Sequence, residues 1–506
     1  MAYNICSFNR IQPKIEIIDT NQYSIKVDFT MQHKDAYFWG LISKFGPITI
    51  QMLSNFILAR ILTPADFGTI GVLAIIFTVA GVLIDSGLGG SLVKEESITS
   101  KDCSTIASFN ATVSLLIYAL LFASADYIES FFEIERLSLI TRILSLTFLI
   151  GAWGVVPHAL LMRDLKFKTI TIISITSILI ASLIAILFAL MNYGVWSLVL
   201  FQLTNSLTSV ILSSLACKYI PRIGFNLKSF KKLFSFGFFT TVTIIIDTIY
   251  ENLLTTLAGK FLNVNHAGYM NQAKKIEEGL STSVIKAINN VTFPILTKLK
   301  KDEDSFLKES QSIYKVITML SIPVLLTIAL FPELAIKFFL GNQWLSASFY
   351  LKMLLFAGII MVFESLIRSF IKSYCAVSLL MNATIVKRII GVIVIVASML
   401  INPTYIVYGY VLSSIIGYLI NSYVFCKILN YSFCNFQWGT IKILFPAFMY
   451  YLLIDIGLMC WGQYQILCFS VSIILLILYY LLILPIYGFN INSIAAKFLN
   501  KRIHNN

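Results

Sequence analysis

The sequence predicts an all-α integral membrane protein of about fourteen transmembrane helices, arranged as two six-helix lobes in parallel repeat plus two extra C-terminal helices. Three observations predict it. Of the 506 residues, 58% are hydrophobic and 12% charged, half the roughly 25% charged share of a soluble domain, and the mean hydropathy is +0.83. Basic residues crowd onto alternate loops, and a short pattern recurs two hundred residues downstream. The first observation alone excludes a soluble enzyme, a nucleic-acid binder and a secreted scaffold.

A transmembrane helix needs roughly 20 mostly apolar residues. The candidates in order are 38–61, 67–91, 104–125, 138–158, 169–190, 195–217, 234–258, 268–294, 312–331, 346–371, 384–401, 404–426, 440–460 and 464–487. They are rich in Leu, Ile and Phe and lack the alternation of a membrane β-barrel. With both termini cytoplasmic, the odd-numbered loops face outward and should be poor in Lys and Arg. Those loops hold only Arg60, Arg136, Lys260 and Lys337, against nineteen basic residues on the inward loops and C-terminal tail. The net charge of +13 then follows from loops lying beside an anionic leaflet, and no nucleic-acid partner is expected.

The chain divides into a polar N-terminal extension (1–36), a first lobe of spans 1–6 (37–217), a basic cytoplasmic linker (218–233), a second lobe of spans 7–12 (234–426), spans 13 and 14 (427–487) and a cytoplasmic tail (488–506). The extension has no apolar signal-peptide region, and Met31 is the expected natural start. The eight cysteines form no CxxC pair and the four histidines are scattered. No metal site or cofactor is expected, and the cysteines read as small packing residues.

After span 1 the chain reads Arg60-Ile61-Leu62-Thr63-Pro64-Ala65-Asp66-Phe67-Gly68, and after span 7 Lys260-Phe261-Leu262-Asn263-Val264-Asn265-His266-Ala267-Gly268. Each segment sits at the outer end of the first span of a six-span set. That placement predicts two halves of like orientation, with a substrate path between them near mid-membrane, as in secondary transporters.

These residues also resemble a family. Leu58-Ala59-Arg60 running on to Phe67-Gly68 is similar to the hallmark after span 1 of Wzx-type polysaccharide flippases. These belong to the multidrug/oligosaccharidyl-lipid/polysaccharide exporter superfamily. Further matches follow in order: Ile84-Asp85-Ser86-Gly87-Leu88-Gly89-Gly90, Leu161-Met162-Arg163-Asp164-Leu165-Lys166, Tyr193-Gly194-Val195-Trp196, Gly268-Tyr269-Met270-Asn271-Gln272-Ala273 and Phe293-Pro294. The resemblance covers about residues 37–430 and points to the branch that includes colanic-acid exporters. It implies a monomeric fourteen-helix exporter in the cytoplasmic membrane. Its cargo would be a lipid-linked oligosaccharide moved from the inner to the outer leaflet for O-antigen-like surface polysaccharide. Membrane lipids, a polysaccharide polymerase and chain-length machinery are the implied partners. Span 7 departs from the pattern: where many relatives carry an acidic residue close before Gly259-Lys260, Thr255 and Thr256 stand here and Glu251 lies further back.

An anionic pyrophosphate head needs a wet, cationic cavity, so the chain should spend basic residues inside spans at about 2.5–3.5 kcal/mol each. The substrate candidates are Lys44, Lys286, Arg368 and Arg142. For the first three, structural pairing is the even alternative. Arg142 lies near a span end together with Lys275, Lys352, Lys387 and Arg388, where snorkelling to the headgroups is the plainer reading. The ion-coupling candidates are Asp85, Asp247, Glu251 and Glu364, serving H+ or Na+. Asp247 and Glu251 stack at i,i+4, and the competing role of Asp247 is a charge partner for Lys286. Glu364 and Arg368 at i,i+4 are placed to neutralise each other. Gly46-Pro47, Pro157, Pro294 and Pro323 mark expected kinks or stops.

A membrane enzyme would be expected to need a sizeable outward loop with His, Arg or acidic groups, and the outward loops here are short. No GxxxxGK[ST] or HExxH is present. The remaining alternatives are a peptidoglycan-precursor flippase or a drug/cation antiporter of the same superfamily.

Overall fold

The computed structural model describes residues 31–85, 88–94, 98–219, 224–300, 302–374, 377–461 and 465–486. Those residues form eighteen α-helices. The first half of the chain comprises α1 (Met31–Ile61), α2 (Pro64–Asp85), α3 (Leu88–Lys94), α4 (Ser100–Phe132), α5 (Leu137–Leu144), α6 (Leu146–Ala152), α7 (Val155–Arg163), α8 (Phe167–Leu190) and α9 (Val195–Cys217). The second comprises α10 (Leu227–Phe261), α11 (Val264–Leu299), α12 (Glu303–Leu330), α13 (Pro332–Phe339), α14 (Ala347–Tyr374), α15 (Val377–Ile401) and α16 (Ile406–Ile428), followed by α17 (Phe433–Trp461) and α18 (Gln465–Ile486).

Every sequence-predicted span falls on one of these helices or on a broken series of them. By length and composition ten of the described helices qualify as membrane-crossing, with α2 and α3 taken together, or eleven if the bent α5–α7 series counts as one. A count of fourteen therefore stays an expectation, with α1, α10 and α11 outside that set. Predicted span 4 departs most from a simple rod. It is divided into α5, α6 and α7, with a 43° bend between 137–152 and 155–163. Gly154 sits at the break, where a Cβ would meet Val210 of α9 at 2.8 Å, and Pro157 follows without a backbone N–H to donate. Pro47 and Pro323 lie inside continuous helices. The helix runs on through Pro294 to Leu299 rather than stopping there.

The repeated segments are helix–turn–helix corners. Thr63 precedes Pro64 at the first helical position, a place where a missing N–H costs nothing. The Thr63 backbone N–H and hydroxyl donate to the Asp66 carboxylate at 2.9 and 2.7 Å, closing a capping box. Asn263, two hundred residues on, caps α11 by accepting from the His266 N–H at 2.9 Å. Thr-Pro-Ala-Asp is thus a helix start written in four residues.

Packing repeats along with the corners. Helix α1 lies along α8 and α8 along α9, as α10 lies along α15 and α15 along α16. The halves meet where α2 packs on α10 and α11. Helices α17 and α18 attach to the side of α12, where the Tyr450 hydroxyl pairs with that of Thr327 at 2.7 Å and donates to the Ser472 carbonyl at 3.1 Å.

Candidate functional site: a cavity between the halves

A cavity of about 640 Å³ opens between α1, α2, α9 and α11. Its polar wall comes from three helices at helical spacing: Gln51 and Asn55 on α1, Gln202 and Asn205 on α9, and Asn271, Lys275 and Glu278 on α11. Residues three or four apart share a helix face, which is how each helix turns a polar stripe inward. The Lys275 ammonium donates to Asn55 Oδ1 at 3.0 Å and stands 5.4 Å from the Phe67 ring centroid. Asn55 in turn donates to Gln272 Oε1 at 2.7 Å. Asn55 and Gln272, 217 positions apart, tie the floor together across the two halves.

Beyond Phe67, the end of the bundle predicted to face outward is shut. Trp344 Nε1 donates to the Ala59 carbonyl at 2.7 Å, and Gln343 donates to the carbonyls of Ala59 and Leu62 at 2.8 and 3.1 Å. Arg60 donates to the Phe338 carbonyl, and Lys260 pairs with Glu133 at 2.8 Å. The two repeat-related basic residues thus each grip the outer corner of the opposite half.

A second cavity, of about 400 Å³, lies between α2 and α10 and is lined by Asp85, Glu251, Thr78, Thr241, Thr248 and Asn252. It unites two of the four ion-coupling candidates. The other two are held in ion pairs within the second half. Asp247 accepts from Arg388 Nε at 2.7 Å, so its partner is Arg388 of α15. The side chains of Lys286, the partner weighed in the sequence, and of Lys44 lie outside the described residues. Glu364 accepts from Arg368 at 2.9 Å and from Lys387, with Asn421 nearby at 3.4 Å. Arg388 also lies 4.1 Å over the Tyr250 ring, whose hydroxyl meets that of Ser413.

Two expectations change. Lys387 and Arg388, read as snorkelling residues, are 4% and 6% exposed, because carboxylates on α14 and α10 meet them inside the fold. Arg142 lies on α5, paired with Asp126 at 2.7 Å and 4.9 Å from the Phe122 ring, and does not line the large cavity. Lys275 takes the cavity position instead. Part of its signal was present in the sequence, since Asn271, Lys275 and Glu278 fall on one helix face at i, i+4 and i+7; that this face meets Gln51 and Asn55 of α1 is shown by the structure alone.

The profile of the family described as "polysaccharide biosynthesis protein" matches residues 57–349. The chain is 24% identical to an uncharacterised membrane protein in the cps region of Klebsiella pneumoniae, over 72% of this chain and 76% of that one. It is 26% identical to a teichuronic acid biosynthesis protein of Bacillus subtilis, over 64% and 68%. It is 23% identical to the lipopolysaccharide biosynthesis protein WzxC of Escherichia coli, over 64% and 66%. In fold it is similar to the lipid II flippase MurJ in an inward closed conformation, with a TM-score of 0.69 at 14% identity over 88% of this chain and 99% of that one. An inward-facing multidrug transporter of the MATE family follows at 0.57 and 13%, over 78% and 94%. Since the profile spans more than half of the chain, the protein belongs to the family described as polysaccharide biosynthesis protein, and its helices take the fold seen in the flippase and multidrug-transporter structures above.

Proposed function

We propose that the protein flips a polyprenyl-pyrophosphate-linked oligosaccharide repeat unit from the inner to the outer leaflet of the cytoplasmic membrane. It works by alternating access and draws on an H+ or Na+ gradient. The observation that carries this reading is Lys275, whose ammonium sits on the polar floor of a cavity between the halves while the opposite end is shut. A cavity of a few hundred Å³ suits a charged head and its first sugars, while the lipid tail remains in the bilayer. Asparagine and glutamine amides beside the lysine are both donors and acceptors, as sugar hydroxyls require. The names carried by the relatives, which concern surface polysaccharide assembly, support the same substrate class. The excess of basic residues on the inward loops supports cytoplasmic termini, and a polymerase on the far side is the expected recipient of the cargo.

The test is mass spectrometry of polyprenyl-linked oligosaccharides in cells with and without the gene, with surface polysaccharide measured in the same samples. Completed repeat units should accumulate as surface glycan falls, and their mass names the substrate. An unchanged lipid-linked pool would remove the reading.

A further inference from the structure

Among the described residues, two acidic side chains are buried, Glu277 and Glu364, each 5% exposed. Glu364 is held by Lys387 and Arg368. No ion pair reaches Glu277 among the described residues. Lys274, three positions before it, is committed elsewhere, to Glu278 at 3.3 Å and to the Glu251 carbonyl. Glu277 lies on α11 in the seam with α14, two positions from the cavity lysine and next to cavity-lining Glu278.

The seam is shaped for this carboxyl. A Cβ on Gly358 of α14 would fall 2.3 Å from Glu277 Oε1 and 2.7 Å from Ser281 Oγ, so both polar groups, as placed, occupy space that the missing side chain of Gly358 leaves free. On α14 the nearest charged residues, Lys352 and Glu364, are six positions away on either side, about 9 Å along the axis. The titratable groups in electrostatic reach are Lys274 and Glu278 of α11 itself and Tyr410 of α16. The Ser281 hydroxyl shares the notch and Lys274 stands in electrostatic reach, yet among the described residues no cation is in contact with the Glu277 carboxyl, and a buried charge without a contacting partner is costly.

We propose that Glu277 is the proton-binding group of this transporter, carrying a proton while α11 is packed on α14 and releasing it to water when that seam opens. The inference rests on the transport reading above and assigns its driving ion to H+. Proton binding shifts the conformational balance because the packed and open seams differ in proton affinity. Helix α11 also carries Lys275 and, at its outer end, Gly268 against Pro64. A bias at Glu277 therefore acts on the element that holds both the cargo site and the outer closure.

The experiment uses the full chain in proteoliposomes with a fluorescent polyprenyl-pyrophosphoryl disaccharide as the probe, alongside infrared titration of the same preparation. The wild type should show a neutral-carboxyl C=O band that Glu277→Gln lacks. A pH gradient should speed probe crossing at least tenfold in the wild type, and Glu277→Gln should cross at a rate indifferent to the gradient. An infrared band unchanged in Glu277→Gln, or a wild-type response to the gradient in that variant, overturns the proposal. If Glu277→Gln is not recovered folded, Glu277→Asp decides: a band moved in frequency supports the site and an unmoved band overturns it. Should the wild type show the Glu277 band yet move no probe under any gradient, the transport reading falls and the proton site stands.

Discussion

Gly68 and Gly268 occupy reciprocal places in one contact between the halves. A Cβ on Gly68 would lie 1.9 Å from the Val264 carbonyl oxygen, and a Cβ on Gly268 would lie 2.0 Å from that of Pro64. Each carbonyl sits four residues before the other half's glycine, in the first turn of α11 or α2, so neither can swing away like a flexible side chain. The two-hundred-residue recurrence in the sequence is therefore a physical pairing of its two copies. Gly68→Ala or Gly268→Ala should destabilise the protein by about 1–3 kcal/mol, the usual cost of overpacking. Combining them should cost less than the sum, since helices parted for one methyl already accommodate the other. Thermal unfolding in detergent reads this out, with Gly81→Ala as control because nothing lies within 4 Å of a Cβ there. Equal melting temperatures for Gly68→Ala and wild type would contradict the packing.

The ion pairs of the second half make a sharper stability prediction. Lys387 has 2% of its side chain exposed against 6% for Glu364, so Glu364→Gln strands a buried ammonium. Breaking such a pair from one side costs about 3–5 kcal/mol, whereas replacing both partners by apolar groups of like volume is often neutral or better. Glu364→Gln should therefore lower the recovered folded fraction, and Glu364→Leu combined with Lys387→Met should restore most of it. Size-exclusion chromatography of a fluorescent fusion measures both. A double variant as damaged as the single one would assign Glu364 a role beyond charge compensation.

Helix positions were legible because runs of roughly 20 apolar residues leave a strong mark, and the recurrence of 60–68 at 260–268 was legible because it is written in the chain itself. The Glu364–Arg368 pair was readable as an i,i+4 spacing. The partner of Asp247 was not. Arg388 lies 141 positions away on a helix whose contact with α10 is a tertiary fact. Lys387 and Arg388 sat near a predicted span end, where snorkelling is a cheap solution, and nothing local told that solution from burial against a carboxylate. The cavity wall was partly legible: its amides fall at helical spacing. In helices apolar on every side, though, the stripe stands out only once one knows which helices face each other.

Lys275 and Arg142 separate the cavity from the rest of the basic residues. Lys275 faces open space between the halves, with Asn55 as partner, while Arg142 closes a partly exposed pair with Asp126. A hydrogen bond from a charged donor is worth about 1.5–3 kcal/mol. Lys275→Ala should accordingly reduce export about ten- to a hundredfold at unchanged protein level. Arg142→Ala removes a pair of a kind typically worth about 0–1 kcal/mol and should leave export within a few-fold of wild type. Surface polysaccharide per transporter molecule is the measurement. A stronger defect in Arg142→Ala than in Lys275→Ala would move the cargo site away from this cavity.

The Lys260–Glu133 contact across the outer corners predicts an acid-side effect. The hydrogen bond from the Lys260 ammonium, helped by its charge, holds the Glu133 carboxyl below the ordinary carboxylate range. A carboxyl whose folded value is depressed contributes stability above its unfolded value, about 4.3, and loses it as pH falls through the lower folded value. The contribution is small because Glu133 is 77% exposed in its side chain, and added salt screens it. Lys260→Gln removes the cation without removing the carboxyl. Melting temperatures of wild type and Lys260→Gln should therefore differ by a small constant amount from neutral pH down to about pH 5. They should converge as the solution is acidified through the carboxylate range, and high salt should erase the difference at every pH. No gap at neutral pH and low salt would mean that the outer corner is closed by the Arg60 and Trp344 hydrogen bonds without help from this pair, and a gap that widens on acidification would contradict the ionic pairing.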